Sequence, residues 1–210
     1  VGLEQCLADA TADWSDYKAL ADKYNDPGVF TALQAYEYSP TLPDYGKYHR
    51  NVFFRGAALP ELAISALDAP TELDLWRMLE QSCQGDCEFL TIPHNTNRAW
   101  GLPYGRVTRY GDAYTKQDWS TRARHEPLAE IYQIKGASEC AIGATATDEE
   151  CCFEQVFPPC RPDQQTACAF ATGFAREGLK AGMQIEREEG VNTFRFGFIA
   201  ATDSHNTNTG

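Results

Sequence analysis

Most of the histidines and two acidic residues of this chain stand where an apolar segment begins or ends. The residues that follow such segments are Glu37, His94, Asp203 and His205, and His49 precedes one. Imidazole nitrogens and carboxylate oxygens are the ligands that zinc, iron and manganese take in proteins. A carboxylate can also bridge two ions, and paired ions acidify a bound water at neutral pH. These residue types therefore predict a divalent-metal site that supports hydrolysis.

Each of these residues taken alone also has an ordinary structural explanation. A glutamate at the end of a strand often serves as a cap or an ion-pair partner, and an Asp-x-His sequence is common by chance. His94 follows a proline and could be a hydrogen-bonded loop residue, while His49 could hold the loop that precedes it. The metal site is favoured by the joint placement of these side chains, which no single residue establishes.

The apolar periodicity predicts the elements that must position these residues. Helices are predicted over 3–24, 71–80 and 170–189, and strands over 29–36, 51–54, 89–92, 128–134 and 196–201. Strands that alternate with helices indicate parallel βα units, which carry their chemistry at the carboxyl ends of the strands. We therefore expect an α/β fold in which the candidate ligands meet at one edge.

Composition narrows the class of protein. A chain of 210 residues with 43% apolar residues is enough for one globular domain with a real core. Its net charge of −12 argues against a nucleic-acid partner and against binding to an anionic membrane face. No apolar run approaches the roughly 20 residues of a membrane span, and no basic-then-apolar signal sequence opens the chain.

The eight cysteines are concentrated late in the chain, with five of them between positions 140 and 168. Their even number favours a disulfide-rich insertion over 136–168, and a clip between Cys83 and Cys87 after the second predicted helix. Structural zinc is the rival interpretation, but the sequence has no CxxC pair with which zinc knuckles usually begin. Disulfides predict an oxidising location, either periplasmic or extracellular.

Five sequence strings carry a family resemblance. In chain order they are AYEYS at 35–39, HRNVFFR at 49–55, IPHN at 92–95, EIYQIKG-x-x-E at 130–139 and TDSH at 202–205. This set resembles the DUF3604 family, a group within the PHP (polymerase and histidinol phosphatase-like) metallohydrolase superfamily. The resemblance covers nearly the whole chain, from about Trp14 to His205.

The resemblance implies a distorted, TIM-like βα barrel, of which this chain forms part, with two or three divalent ions (Zn, Mn or Fe) at the carboxyl face of its strands. Glu37 would bridge two ions, His94 and His49 would bind one, and Asp203 and His205 would bind the others. The side chains that would hold a small anionic substrate are Arg50, Arg55, Asn95 and Lys135, although surface or strand-pairing roles explain these four equally well. Glu130 and Glu139 would support the ligands.

The resemblance also carries a departure. PHP proteins have an early His-x-His strand and a following Asp-His motif, and neither is present here. The chain then corresponds to the later part of a barrel, which a further N-terminal segment or a second chain would complete.

Two functions follow from these observations. The first is metal-dependent hydrolysis, phosphoesterase-like, with Glu37 and Asp203 as the catalytic residues. The second is a non-catalytic binding module, or an inactive barrel fragment, that uses the aromatic loop 97–119. The aromatic side chains of this loop are Trp100, Tyr104, Tyr110, Tyr114 and Trp119. Packing the loop onto the core is the commoner use of such residues.

Overall fold

The computed structural model describes residues 2–56, 58–143 and 147–206. The helices are α1 (Leu3–Tyr24), α2 (Glu72–Ser82), α3 (Lys116–His125) and α4 (Ala175–Glu189). The strands are β1 (Ala35–Tyr38), β2 (Thr41–Leu42), β3 (Gly46–Lys47), β4 (Arg50–Arg55), β5 (Glu88–Pro93), β6 (Leu128–Gln133), β7 (Gly136–Ala137) and β8 (Gly197–Ala200). This mixture confirms the predicted α/β class.

The strands of the described residues form three separate sheets, with the orders β1–β4–β5, β2–β3 and β7–β6–β8. None of these sheets closes on itself, so the TIM-like barrel implied by the resemblance is not confirmed in the described part of the chain. The chain divides into two compact units. Unit 1 comprises Val1–Tyr38 and Val52–Leu90, and unit 2 comprises Ser39–Asn51 and Thr91–Gly210.

The first helix and the segment after it show where the periodicity was informative and where it was not. Helix α1 forms as predicted, and Trp14 is its buried anchor, with its indole N–H donating to the carbonyl of Pro60 at 3.1 Å. The strand predicted over 29–36 is wrong in extent, because only Ala35–Tyr38 is a strand. Val29 and Phe30 are exposed instead, since the backbones of Asp26 and Phe30 pair with each other to close a turn.

The core of unit 1 gathers around α2. Thr71 caps this helix, and its hydroxyl and the Asp74 carboxylate form a reciprocal capping box. Leu75 and Leu79 point from the helix into the apolar core, as predicted. The predicted clip after the helix is confirmed by a disulfide between Cys83 and Cys87.

Unit 2 is built around a parallel strand pair. β6 and β8 run parallel, with Leu128 opposite Gly197 and Glu130 opposite Ile199, and β7 adds an antiparallel edge. The parallel βα arrangement predicted for these two strands is therefore confirmed. Their carboxyl ends lie side by side, because the backbone pairing continues from Ile134 to Thr202 at 3.3 Å.

Helix α4 forms in spite of its glycines. The Cα of Gly178 approaches the Tyr104 ring so closely that an added Cβ would lie 2.7 Å from a ring carbon. An added Cβ on Gly182 would meet Oδ1 of Asn192 and lie 3.0 Å from Cβ of Phe194. These glycines cost helix propensity, but they allow close packing of the helix on the Tyr104 ring and on the segment that carries Asn192 and Phe194. Gly190 ends the helix in the left-handed conformation, as predicted.

Disulfides hold the predicted insertion. Cys140 pairs with Cys151 and Cys160 pairs with Cys168, while Cys6 and Cys152 are free and exposed. None of the helices in the described ranges combines the length and apolar character that crossing a membrane requires.

Candidate metal site

Two histidines of unit 2 face each other where β5 ends and β4 begins. The backbone N–H of His94 donates to the carbonyl of His49 at 3.3 Å, so the end of β5 lies beside the start of β4. The two imidazole rings have centroids 5.6 Å apart and are nearly perpendicular, at 84°. One ring nitrogen of each histidine lies within 4.8 Å of one nitrogen of the other. Strand pairing thus brings together two nitrogens that are 45 residues apart in sequence.

The spacing of these nitrogens suits one ion. Two nitrogens that each bind a zinc ion at about 2.1 Å are at most about 4.2 Å apart. The separation of up to 4.8 Å therefore needs only a small rotation of either ring. His94 is 2% exposed, and His49 is half-buried. The donor set and its burial fit a borderline divalent metal.

The local backbone explains the orientation of His94. β5 ends at Pro93, and Asn95 takes the left-handed conformation, with φ of 53°. Asparagine tolerates this conformation better than most residues. The turn directs the chain into a short 3₁₀ helix, Thr96–Arg98, and leaves His94 as the last residue before the change of direction.

Asp203 and His205 follow the carboxyl end of β8. The nearest carboxylate oxygen of Asp203 is 3.9 Å from Nδ1 of His205, and that nitrogen is 2.9 Å from the backbone carbonyl of Asp203. Asp203 is mostly buried, whereas His205 is exposed. The nearest donors to the Asp203 carboxylate come from the end of the neighbouring strand β6.

Lys135 and Gln133 hold the Asp203 carboxylate. The ammonium of Lys135 forms an ion pair with Oδ2, and Nε2 of Gln133 donates to the same oxygen at 2.9 Å. Partial burial alone would raise the pKa of Asp203. The hydrogen bonds from Lys135 and Gln133, together with the lysine charge and that of His94, outweigh burial and lower this pKa below its ordinary value. The Asp203 carboxylate is therefore anionic over the whole neutral range.

Glu130 is a second carboxyl group close enough to Asp203 for the two to interact electrostatically, but its pKa shifts in the opposite direction. Its side chain is 3% exposed, and burial raises its pKa from 4.5 to about 7. Repulsion by Asp203 adds to the increase, while hydrogen bonds from Gln133 and from the backbone of Asn95 oppose it. Glu130 thus links β6, whose carboxyl end holds the Asp203 carboxylate, to the turn that follows His94.

The other predicted site residues lie in varied surroundings. Glu37 is exposed on β1 of unit 1, as the third residue of the strand rather than its end. Arg55 is also exposed in unit 1 and pairs with Glu88 at 2.5 Å. In unit 2, Glu139 pairs with Arg176 at 2.7 Å. The resemblance alone predicts that Glu37 is a metal ligand and that Arg55 contacts the substrate, and both roles remain predictions.

Arg50 was expected to contact substrate, and the structure places it in the interior of unit 2. Its guanidinium is fully buried and its Nε lies 2.5 Å from Oε1 of Glu126. Nε of Arg122 lies 2.8 Å from the other oxygen of that carboxylate. The Arg122–Glu126 spacing of four residues was the only sequence signal for this cluster, since it is the spacing of a helical ion pair. Arg50 gives no signal of its partner.

Most of the aromatic side chains of loop 97–119 are buried against other aromatic rings. Tyr104, Tyr114 and Trp119 are buried, and their rings contact each other or the Phe194 ring. Trp100 donates from its indole N–H to the carbonyl of Pro43 at 2.8 Å. Tyr110 is the exposed ring among these five. The packing of these rings gives the binding-module alternative no support from this loop.

Comparison with known proteins gives one match. The sequence model of a family described as "Protein of unknown function (DUF3604)" matches residues 1–210. No curated protein matches the chain, and no solved structure does. Because the match spans the whole chain, the protein belongs to the DUF3604 family.

Proposed function

We propose that this protein is a metal-dependent hydrolase that acts on phosphoesters, and that its family belongs to the PHP superfamily. The observation that carries the proposal is the pair of imidazole nitrogens of His49 and His94, which lie within 4.8 Å of each other. Asp203 stands close enough for the charge of His94 to lower its pKa. Two nitrogens and a permanently ionised carboxylate in one region are a typical donor set for zinc, manganese or iron.

Each candidate ligand has a proposed assignment. His49 and His94 would hold one divalent ion, and Asp203 with His205 would hold another. Glu37 is proposed as a bridging carboxylate on the basis of its AYEYS motif alone. Divalent ions held by these side chains would supply an acidified water and a Lewis acid for the ester.

The protein's own side chains then organise the substrate. Lys135 presents a partly exposed ammonium beside Asp203, where it can attract a phosphate and stabilise negative charge that develops in the reaction. Gln133 keeps the Asp203 carboxylate in place through its 2.9 Å hydrogen bond. Asn95 lies next to His94 and is a second proposed contact for the anionic group.

Two further proposals concern the protein as a whole. PHP membership would place additional ligands, in a His-x-His strand and an Asp-His motif, on another segment or a second chain that completes a barrel. Three disulfides are typical of an oxidising compartment, so we propose a periplasmic or extracellular location.

Hydrolysis of p-nitrophenyl phosphate and bis(p-nitrophenyl) phosphate by the full chain, supplied with Zn²⁺ or Mn²⁺, tests the proposed function. We expect Asp203→Asn to lower kcat/KM at least 100-fold, and Glu37→Gln to lower it similarly. Asp163→Asn is the matched control, because Asp163 is exposed in the disulfide-rich insertion. Equal turnover in Asp203→Asn and Asp163→Asn, or no turnover with either metal when the segment or second chain that supplies the additional ligands is present, would contradict the proposal.

A further inference from the structure

A buried cluster of three charged side chains in unit 2 includes Arg50, the residue that follows His49. One carboxylate oxygen of Glu126 accepts a hydrogen bond from Nε of Arg50 at 2.5 Å. The other oxygen accepts one from Nε of Arg122 at 2.8 Å. The three side chains are at most 3% exposed. We call these residues the Arg–Glu–Arg triad.

Arg50 connects the triad to the start of β4, next to His49. Tyr48 and Arg50 are buried on either side of the half-buried His49, as expected when successive residues of an extended segment face opposite directions. The Arg50 guanidinium lies 4.3 Å from the centre of the Tyr48 ring, so both flanking side chains hold each other as well. Because the side chains of Tyr48 and Arg50 are held on one face of this segment, the direction in which His49 projects from the opposite face is fixed.

The two arginines of the triad differ in what they hold. Arg50 is adjacent to His49, and its ion pair with Glu126 joins residues that are 76 positions apart. Arg122 lies on α3, four residues before Glu126, which caps the end of this helix. Arg122 also donates a hydrogen bond to the carbonyl of Pro103 at 2.5 Å. Losing Arg50 releases the strand start, whereas losing Arg122 leaves the link between Glu126 and the strand start in place.

We propose that the ion pair between Arg50 and Glu126, within the Arg–Glu–Arg triad, positions His49, so that these two residues control metal affinity without touching the metal. The inference rests on the proposed function, because it takes His49 as a metal ligand. Arg50 is a positioning residue in this account, and Lys135 with Asn95 provides the contacts to substrate.

Titration with Co²⁺ alone tests the proposal through a matched pair of variants of the full chain. Arg50→Met and Arg122→Met each remove one guanidinium from Glu126 and keep a similar apolar stem. We expect Arg50→Met to raise the Kd for Co²⁺ at least tenfold and to change the visible absorption of the bound ion. Arg122→Met should change this Kd less than threefold. Arg50→Lys keeps a positive charge beside Glu126. On a logarithmic scale, its Kd for Co²⁺ should rise by no more than half of the increase found in Arg50→Met.

The imidazole signals of His49 in ¹H–¹⁵N spectra give a second, metal-free reading. They should be single and sharp in the wild type and in Arg122→Met, and broadened or doubled in Arg50→Met. Equal effects of the two methionine variants on Kd or on these signals would overturn the positioning role, since they would indicate a general loss of stability. If Arg50→Met does not fold, Arg50→Lys and Arg122→Lys are compared by the same criteria. A wild type that binds no Co²⁺ would contradict the proposed function, and the imidazole signals would then decide the positioning role by themselves.

Discussion

Replacing Glu130 by glutamine should make the stability of the protein less dependent on pH. The carboxyl group of Glu130 is buried, and burial raises its pKa from 4.5 to about 7 in the folded chain. The folded state therefore holds this proton more tightly than the unfolded state does. Below pH 4.5 the group is protonated in both states and has no effect. As pH rises from 4.5 to 7, the wild type loses stability, because the unfolded chain releases this proton while the folded chain still holds it.

The size of this loss follows from the interval between the two pKa values, 4.5 and about 7. At about 1.4 kcal/mol per pH unit, and with allowance for solvent screening, the loss reaches about 2 to 3 kcal/mol above pH 7. Glutamine has nearly the same shape, keeps an acceptor for the Asn95 backbone N–H and does not ionise. The Glu130→Gln variant should thus match the wild type near pH 4.5 and exceed its free energy of unfolding by about 2 kcal/mol at pH 8.

Urea denaturation from pH 4.5 to 8, with a chelator present and the disulfides intact, measures this difference. Glu61→Gln is the control, because Glu61 is exposed in unit 1. Its difference from the wild type should stay constant with pH. A Glu130→Gln difference that is independent of pH, or that falls as pH rises, would refute the reasoning about this carboxyl group.

Three further outcomes follow from the packing and the cysteine pairing. Gly178→Ala should destabilise the protein by about 2 kcal/mol in a urea titration, because the new methyl group would lie 2.7 Å from the buried ring of Tyr104. Titration of thiols in the non-reduced, unfolded chain should find two per molecule, from Cys6 and Cys152. In steady-state kinetics on a phosphoester, Lys135→Met should lower kcat/KM at least tenfold, since it removes the cation beside the Asp203 carboxylate.

Each of these outcomes has a clear contrary result. An alanine variant as stable as the wild type would show that α4 does not pack as closely on the aromatic ring as described. Any thiol count other than two would contradict the disulfide assignment. Unchanged kinetics in Lys135→Met, with Lys180→Met on the exposed side of α4 as its control, would remove the lysine from the substrate contacts.

The sequence predicts those parts of the fold that depend on local pattern. Apolar spacing was sufficient for α1, and the Thr71 capping signal with its following apolar face was sufficient for α2. The polar residues after β8 and beside β6 could also be placed together in advance, because parallel strands bring their carboxyl ends to one edge. Asp203 and Lys135 accordingly meet as the strand order requires.

Other features depend on pairings that no local pattern encodes. The meeting of His49 and His94 requires the end of β5 to lie beside the start of β4, which only the sheet order reveals. The burial of Arg50 depends on a glutamate far along the chain, and an arginine next to a histidine gives no sign of it. The barrel was implied by resemblance alone, and the described strands form separate small sheets.

Anomalous X-ray diffraction from crystals of the full chain soaked in Zn²⁺, recorded at the zinc absorption edge, tests the central claim most directly. The account predicts a peak within about 2.0–2.3 Å of one ring nitrogen of both His49 and His94. The same peak should be absent from crystals of His94→Gln, while it should persist in Asp163→Asn. Zinc bound only elsewhere, or no zinc in the wild type, would contradict the assignment of these two histidines as metal ligands.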